Sequence, residues 1–228
     1  MDSEQIVFNR GLRGFLDSAV TPFHAVEALI EILGEAGFER LDESDEWSLS
    51  AGGKYFVTRN DSSMIAFVSG AENPLESGMR MVGAHTDSPC LMVKPQPEIY
   101  ANGYLQLGVE VYGGVLLNPW FDRDLSIAGR IVVESVEGVL SQKLIDFKRP
   151  VAVIPSLAIH LDRDANKNRS INAQTDIPPI LMRADKDRNF KQLIEKTFLL
   201  KGERVIDYEL CLYDVQCAAE LGFNNDFF

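Results

Sequence analysis

A histidine and an aspartate in the first half of the chain have the types and the spacing of a metal site. His85, Thr86 and Asp87 lie within the run VGAHTDSPCLMVKP at residues 82–95. A neutral imidazole is a good zinc ligand. In an extended segment, an aspartate two positions later lies on the same side and can hydrogen-bond the other ring nitrogen or lie beside it. We interpret the run as a metal-binding and catalytic segment in which His85 binds metal and Asp87 supports a general base. A His-x-Asp pair alone also occurs by chance.

The chain has two other histidines, His24 and His160. His24 follows Thr21-Pro22, a capping residue and a proline that begin a helix, so a capping or packing role is favoured over metal binding. His160 ends the apolar run at residues 151–159. Two interpretations of His160 are open. It is either a half-buried strand histidine that hydrogen-bonds locally, or a histidine at a strand end that faces a ligand.

Arg123 is a further candidate because acids flank it in the run NPWFDRD at residues 118–124. An ion pair between an arginine and a carboxylate that positions strands is the favoured interpretation. In the functional alternative, Arg123 binds substrate, because a guanidinium group can hold a carboxylate ligand through two hydrogen bonds.

The composition excludes several classes of protein. The chain has 228 residues, 46% of them hydrophobic, and a net charge of −12, so it can bury a core while its acidic surface repels nucleic acid and anionic membranes. It contains no GxSxG elbow, no phosphate loop and no GxGxxG turn. No stretch has the apolar core of a signal peptide or the roughly 20 apolar residues of a membrane span. We therefore predict a soluble, cytoplasmic protein without nucleic-acid or membrane partners.

The segments around the His85 motif predict helices followed by strands. Apolar residues at helical spacing predict a helix over residues 4–19, and Thr21-Pro22 begins a second helix. Strands are predicted at residues 55–57, 64–68 and 79–84, the first two as a hairpin around Asn60-Asp61. The third strand delivers His85 at its C-terminal end. Helices followed by strands with a site at a strand end are typical of an α/β domain.

After Pro95 the sequence changes to short β-rich runs separated by glycine and proline, which predict a mostly β module. Its predicted elements are strands at residues 105–111, 127–133, 151–154 and 205–212, a polar loop at residues 162–176, and a helix at residues 189–200.

Many long stretches occur here in the order that a known family has them. They are SAVTPFHAVEAL, YFVTRNDSSMIAF, VGAHTDSPCLMVKP, LGVEVYGG, PWFDRDLSIAGR, VIPSLAIHLDR, INAQTDIPPI and DYELCLYDVQ. The chain resembles the N-terminal half of the aspartyl aminopeptidase family, zinc metallopeptidases similar to aminopeptidase I. The resemblance implies an α/β fold in which a mostly β dimerisation domain is inserted into a split catalytic domain. By this resemblance, residues 1–93 begin the catalytic domain, residues 94–213 form the inserted domain, and residues 214–228 begin the second catalytic segment.

The resemblance also implies a reaction and roles for the candidate residues. The family removes an N-terminal residue, preferably Asp or Glu, from a peptide with two zinc ions per site. His85 would be a ligand of one ion, and Asp87 the acid that supports the general base. His160 would reach the active site of a partner subunit in a homo-oligomer. Metal ligation and substrate contact remain alternatives for His160.

The chain departs from the family's pattern in one major respect. The bridging aspartate of an R-L-D-N motif and the general base of an N-E-E motif are not present in it. Met92 also stands where relatives usually carry arginine. We expect that this chain alone does not hydrolyse peptides, and that it self-associates or is poorly soluble. The alternatives are a non-catalytic, self-associating module and a related two-metal hydrolase, although the latter would not share VIPSLAIHLDR.

Overall fold

The computed structural model describes residues 3–184 and 189–227, which form two compact units. The first unit comprises the described residues up to Ser88 together with those from Ala218 onwards. The second comprises those between Pro89 and Cys217. Helices and sheets both occur, so the predicted mixed α/β class is confirmed. Met1, Asp2 and Phe228, which the predicted domains include, lie outside the described residues, as do residues 185–188.

The boundaries of these units differ from the predicted boundaries after residues 93 and 213. The strand β4 already begins at Cys90, and the strand β9 continues to Asp214. A boundary at either predicted position would therefore cut through a hydrogen-bonded strand.

Two helices begin the first unit. Helix α1 spans Ser3–Ser18, and α2 spans Pro22–Glu35. Thr21 caps α2, because its side chain accepts a hydrogen bond from the backbone N–H of His24. The same hydroxyl oxygen lies 2.7 Å from His24 Nδ1, so His24 contacts the capping side chain, in agreement with the predicted capping or packing role.

A three-stranded sheet completes the regular structure of the first unit. Its strands lie in the order β1 (Glu39–Arg40), β2 (Lys54–Arg59) and β3 (Ser63–Val68). Asn60 and Asp61 have φ angles of 54° and 49° in the three-residue connection between β2 and β3, a left-handed conformation that Asn and Asp adopt more readily than most residues. The core of this unit consists of Phe23, Ala25, Val26, Tyr55, Phe56 and Val57.

The predicted strand at residues 79–84 is wrong. A short helix, α3 (Pro74–Ser77), is followed by irregular chain as far as Pro89. Met81 and Val82 are 84% and 102% exposed. A strand needs a neighbour for its backbone N–H and C=O groups, and none of the described strands pairs with this segment.

The second unit contains an antiparallel six-stranded sheet in the order β7-β6-β9-β4-β5-β8. Its strands are β4 (Cys90–Ala101), β5 (Tyr104–Tyr112), β6 (Leu125–Glu134), β7 (Leu140–Asp146), β8 (Ile180–Arg183) and β9 (Arg204–Asp214). The predicted strand at residues 151–154 is present only as isolated bridges. Gly129 in β6 allows a close approach to β9, because a Cβ there would lie 2.1 Å from the carbonyl oxygen of Glu209.

One helix, α4 (Phe190–Phe198), packs on this sheet. Asn189 and Gln192 form a reciprocal capping box at its start. Phe190 and Ile194 are buried, and the Phe190 ring meets the edge of Tyr208 at 5.7 Å between centroids. Among the described residues, no helix is both long enough and apolar enough to cross a bilayer.

Candidate functional site

His85 lies in the irregular segment of the first unit and is exposed. Its Nδ1 atom is 2.5 Å from the main-chain carbonyl oxygen of Asp87. A carbonyl oxygen only accepts hydrogen bonds, so Nδ1 carries the proton. In the neutral ring the lone pair is then on Nε2, as a metal ligand requires. The neighbouring Thr86 hydroxyl donates to the carbonyl oxygen of Ser62 at 2.7 Å and so attaches this segment to the β2–β3 turn.

The sequence suggested that the Asp87 carboxylate could orient the imidazole. In the structure, the main-chain oxygen of Asp87 makes this contact with the ring. The two residues therefore interact as their spacing predicted, but through the main-chain oxygen of Asp87 and not through its carboxylate. The Asp87 side chain is half-buried.

The residues around His85 do not form a zinc centre by themselves. A catalytic zinc ion has three protein ligands. Within the described ranges, no group of three or more His, Cys, Asp or Glu side chains is close enough to hold a metal ion. His85 can therefore supply one imidazole, but the described residues do not complete the set.

His160 lies in the second unit and is exposed. It is exposed and not in a strand, so the interpretation as a half-buried strand histidine is wrong, and no described strand ends at His160. The backbone N–H groups of Leu161 and Asp162 both donate to the carbonyl oxygen of Ala158, at 2.8 and 3.2 Å, and form the turn that carries His160. An exposed turn presents the imidazole to solvent.

Two contacts fix the flanks of the His160 turn. On one side, the backbone N–H of Ser156 donates to Asp122 Oδ1 at 2.8 Å. On the other side, Arg169 Nε lies 3.3 Å from Asp162 Oδ2. The Arg169 guanidinium also lies 4.5 Å from the centre of the Phe121 ring. Arg169 could not be identified from the sequence, because nothing in the spacing of a polar loop indicates which charges meet.

Two carboxyl groups near this turn have pKa values below their ordinary range. Hydrogen bonds from the Ser156 backbone and side chain, with a smaller contribution from Arg169, lower the pKa of Asp122. The backbone N–H of Asn172 and then the Thr175 hydroxyl lower the pKa of Asp176, again with a smaller contribution from Arg169. Both carboxylates are thus held in their charged form, beside the positive charge of Arg169.

Arg123 forms the ion pair that the sequence favoured, but with a distant acid. One of its terminal nitrogens is 2.8 Å from Asp214 Oδ2, and its Nε donates to the carbonyl oxygen of Pro119 at 3.1 Å. The partner is thus at the end of β9 and is neither of the flanking aspartates. This pair joins the short 3-10 helix Asn118–Trp120 to the sheet.

A cavity of about 720 Å³ in the second unit is separate from these residues. Its lining is mostly apolar and includes Phe147, Val153, Leu181, Phe190 and Leu193. Neither His160 nor Arg123 lines it.

Comparison with known proteins decides the family. A family model described as aminopeptidase I zinc metalloprotease (M18) matches residues 15–228. The chain belongs to the M18 family. The resemblance inferred from the sequence motifs is thereby confirmed at the level of the family.

Individual M18 relatives agree with this assignment. The probable M18 family aminopeptidase 2 of Pseudomonas savastanoi pv. phaseolicola is 55% identical over 225 residues, which are 96% of this chain and 52% of the relative. The solved mApe1 of Chaetomium thermophilum is 33% identical with a TM-score of 0.83, over 96% of this chain and 53% of that one. The S. cerevisiae mApe1 dodecamer is 26% identical with a TM-score of 0.74, over 93% of this chain and 49% of that one. The chain thus spans about half the length of the M18 relatives it matches.

Proposed function

We propose that this M18 chain carries part of the active site of a zinc-dependent aminopeptidase that removes N-terminal residues, preferably Asp or Glu, from peptides. The observation that carries the proposal is the His85 ring, whose Nδ1 contacts the Asp87 carbonyl oxygen so that Nε2 is left to bind metal. Membership of a family of zinc metalloproteases makes zinc the expected metal.

The chain supplies only some of the groups that this activity needs. His85 is one ligand of a centre with two zinc ions, and Asp87 supports the general base. Since the described residues complete no set of three ligands, the other ligands come from the part of the family's length that this chain does not span. When bound, the zinc ions polarise the peptide carbonyl group and activate water.

The second unit has a different role in this proposal. It is the inserted dimerisation domain, and its exposed His160 meets the substrate or the metal region of a partner subunit. A related protein, the S. cerevisiae mApe1, is a dodecamer, which supports a homo-oligomer here. Arg123 is a weaker candidate for substrate binding, because Asp214 already engages its guanidinium group. The net charge of −12 disfavours nucleic acid and anionic membranes as partners. A cytoplasmic location is also part of the proposal.

A second candidate function is a non-catalytic, self-associating module. The lack of any three-ligand cluster among the described residues favours it over catalysis by this chain alone. The two candidates differ in whether His85 matters once the rest of the family's length is present.

The test uses a fusion of this chain with the remaining half of the Pseudomonas savastanoi relative. The fusion is assayed with zinc on p-nitroanilides of Asp, Glu and Leu, with and without a chelator, and zinc content is measured after dialysis. We expect hydrolysis by the fusion, faster for Asp and Glu than for Leu, and none by the chain alone. The variant H85A should lose zinc and at least about a hundredfold in rate, because a metal ion contributes several kcal/mol to transition-state stabilisation.

The matched control is H24A, because His24 contacts the cap of α2 and lies outside the proposed site. It should keep both zinc and activity. Equal rates on Asp and Leu substrates would refute the acidic preference. A folded fusion that hydrolyses none of the substrates would refute the aminopeptidase function and support the non-catalytic, self-associating module.

A further inference from the structure

We propose that Arg169 is a positioning residue that holds the turn carrying His160, so that the imidazole is presented in one place. The proposal rests on the proposed role of His160 at the substrate or metal region of a partner subunit. Arg169 would act on substrate binding only indirectly, by holding this turn.

His160 lies in a long loop that regular structure does not fix. Between the bridge at Ile154 and the start of β8 at Ile180, no described residue belongs to a helix or strand. Loops of this length inside a compact unit are uncommon and are usually functional. An exposed side chain in such a loop has a defined position only if side-chain contacts hold the loop.

Arg169 connects this turn to the rigid part of the unit. Asp162, two residues after His160, pairs with Arg169, and the Arg169 guanidinium lies on the Phe121 ring. Phe121 in turn forms a parallel bridge with Ile154, a buried core residue. The chain of contacts therefore runs from the turn through Arg169 to the core.

The ion pair between Arg169 and Asp162 is partly shielded from solvent, while a neighbouring ion pair is not. The side chains of Arg169 and Asp162 are 20% and 22% exposed. Those of Lys167 and Asp164, in the same loop, are 71% and 75% exposed at a separation of 3.6 Å. Water screens the exposed pair, whereas the partly buried pair with its cation–π contact holds its geometry.

The first experiment measures amide hydrogen exchange in the 228-residue chain. In R169M, the N–H groups of Leu161 and Asp162, which close the turn, should exchange about tenfold faster than in the parent chain. R169K should restore part of the protection, because it keeps the charge and loses the planar group. K167M is the matched control and should exchange like the parent. Unchanged exchange in R169M would overturn the proposal.

The second experiment asks whether Arg169 acts through His160. It uses the fusion described above with H160A, R169M and the double variant. We expect R169M to lower kcat/KM about tenfold, mainly through KM if His160 contacts substrate, and K167M to have no effect. The double variant should equal H160A, because there is no imidazole left to position.

Additive losses in the double variant would overturn the proposal and leave the peptidase function standing. A fusion that lacks all peptidase activity would refute the proposed function, and the exchange measurement on the unfused chain would still decide whether Arg169 holds the turn.

Discussion

Arg130 is a charged side chain that the second unit buries within its central strands. Its side chain is 9% exposed, while that of its partner Glu209 is 50% exposed. Arg130 Nε donates to Glu209 Oε2 at 3.1 Å, and a terminal nitrogen donates to Gln142 at 3.2 Å. The two members of this pair are therefore not equivalent, since water can solvate the carboxylate but reaches little of the guanidinium.

We predict that Glu209→Ala destabilises the chain more than Arg130→Met. Removing the carboxylate leaves a buried positive charge with less compensation, at a cost of about 2 kcal/mol. Removing the arginine lets Glu209 turn to water while methionine fills the space, at a cost of about 1 kcal/mol or less. Urea titration monitored by circular dichroism measures both variants.

The control for this comparison is the pair of Arg204 and Glu134, in which the arginine side chain is 68% exposed. Arg204→Met should change the free energy of unfolding by about 0–1 kcal/mol, as for other surface pairs. If Arg130→Met lowers the free energy of unfolding more than Glu209→Ala does, the unequal burial of the two side chains does not determine their contributions.

At the scale of an element, Thr21 determines where α2 begins. Its hydroxyl oxygen accepts from the backbone N–H of His24 at 3.4 Å, and Pro22 occupies the first turn. We predict that Thr21→Ala destabilises the first unit by about 1 kcal/mol, because a backbone donor and the His24 ring lose their partner. Thr21→Ser should retain most of the stability. Thermal unfolding followed by circular dichroism compares the two, and equal losses would show that the methyl group matters more than the cap.

Elements that depend on local signals could be predicted from the sequence. The cap at Thr21 and the turn at Asn60-Asp61 each depend on neighbouring residues, and the structure has both. The strand predicted at residues 79–84 is absent, because a strand also needs a hydrogen-bonding neighbour, which local signals do not reveal. In the apolar run at residues 151–159 the predicted strand is incomplete for a related reason, because only isolated bridges form there.

The candidate site likewise has contacts between neighbouring residues and contacts that only the tertiary fold creates. The spacing of His85 and Asp87 predicted that the two residues lie together, but it did not predict that the main-chain oxygen of Asp87, and not its carboxylate, contacts the ring. The contacts of Arg169 with Asp162 and Phe121 join residues far apart in sequence, through a loop without periodicity. Only the folded arrangement of the sheet could bring them together.

At the scale of the whole molecule, the irregular segment after α3 exposes apolar side chains. Met79, Met81 and Val82 are 74%, 84% and 102% exposed, so this segment presents several apolar side chains together. Its backbone is also without strand pairing among the described residues. Exposed apolar chain with unpaired backbone groups can pair with another copy.

We therefore predict that the 228-residue chain forms oligomers or aggregates, and that Met81→Ser with Val82→Ser reduces this association. The serine side chains remove apolar surface from the unpaired segment, so the distribution in sedimentation velocity should shift toward the monomer. The matched control is Val136→Ser with Val139→Ser, because these residues are 72% and 62% exposed beside the β6–β7 turn. The backbone next to that turn is already paired in a hairpin, so the control should leave association nearly unchanged. If both double variants shift the distribution equally, exposed apolar area alone drives association. A monodisperse monomer of the parent chain would refute the prediction altogether.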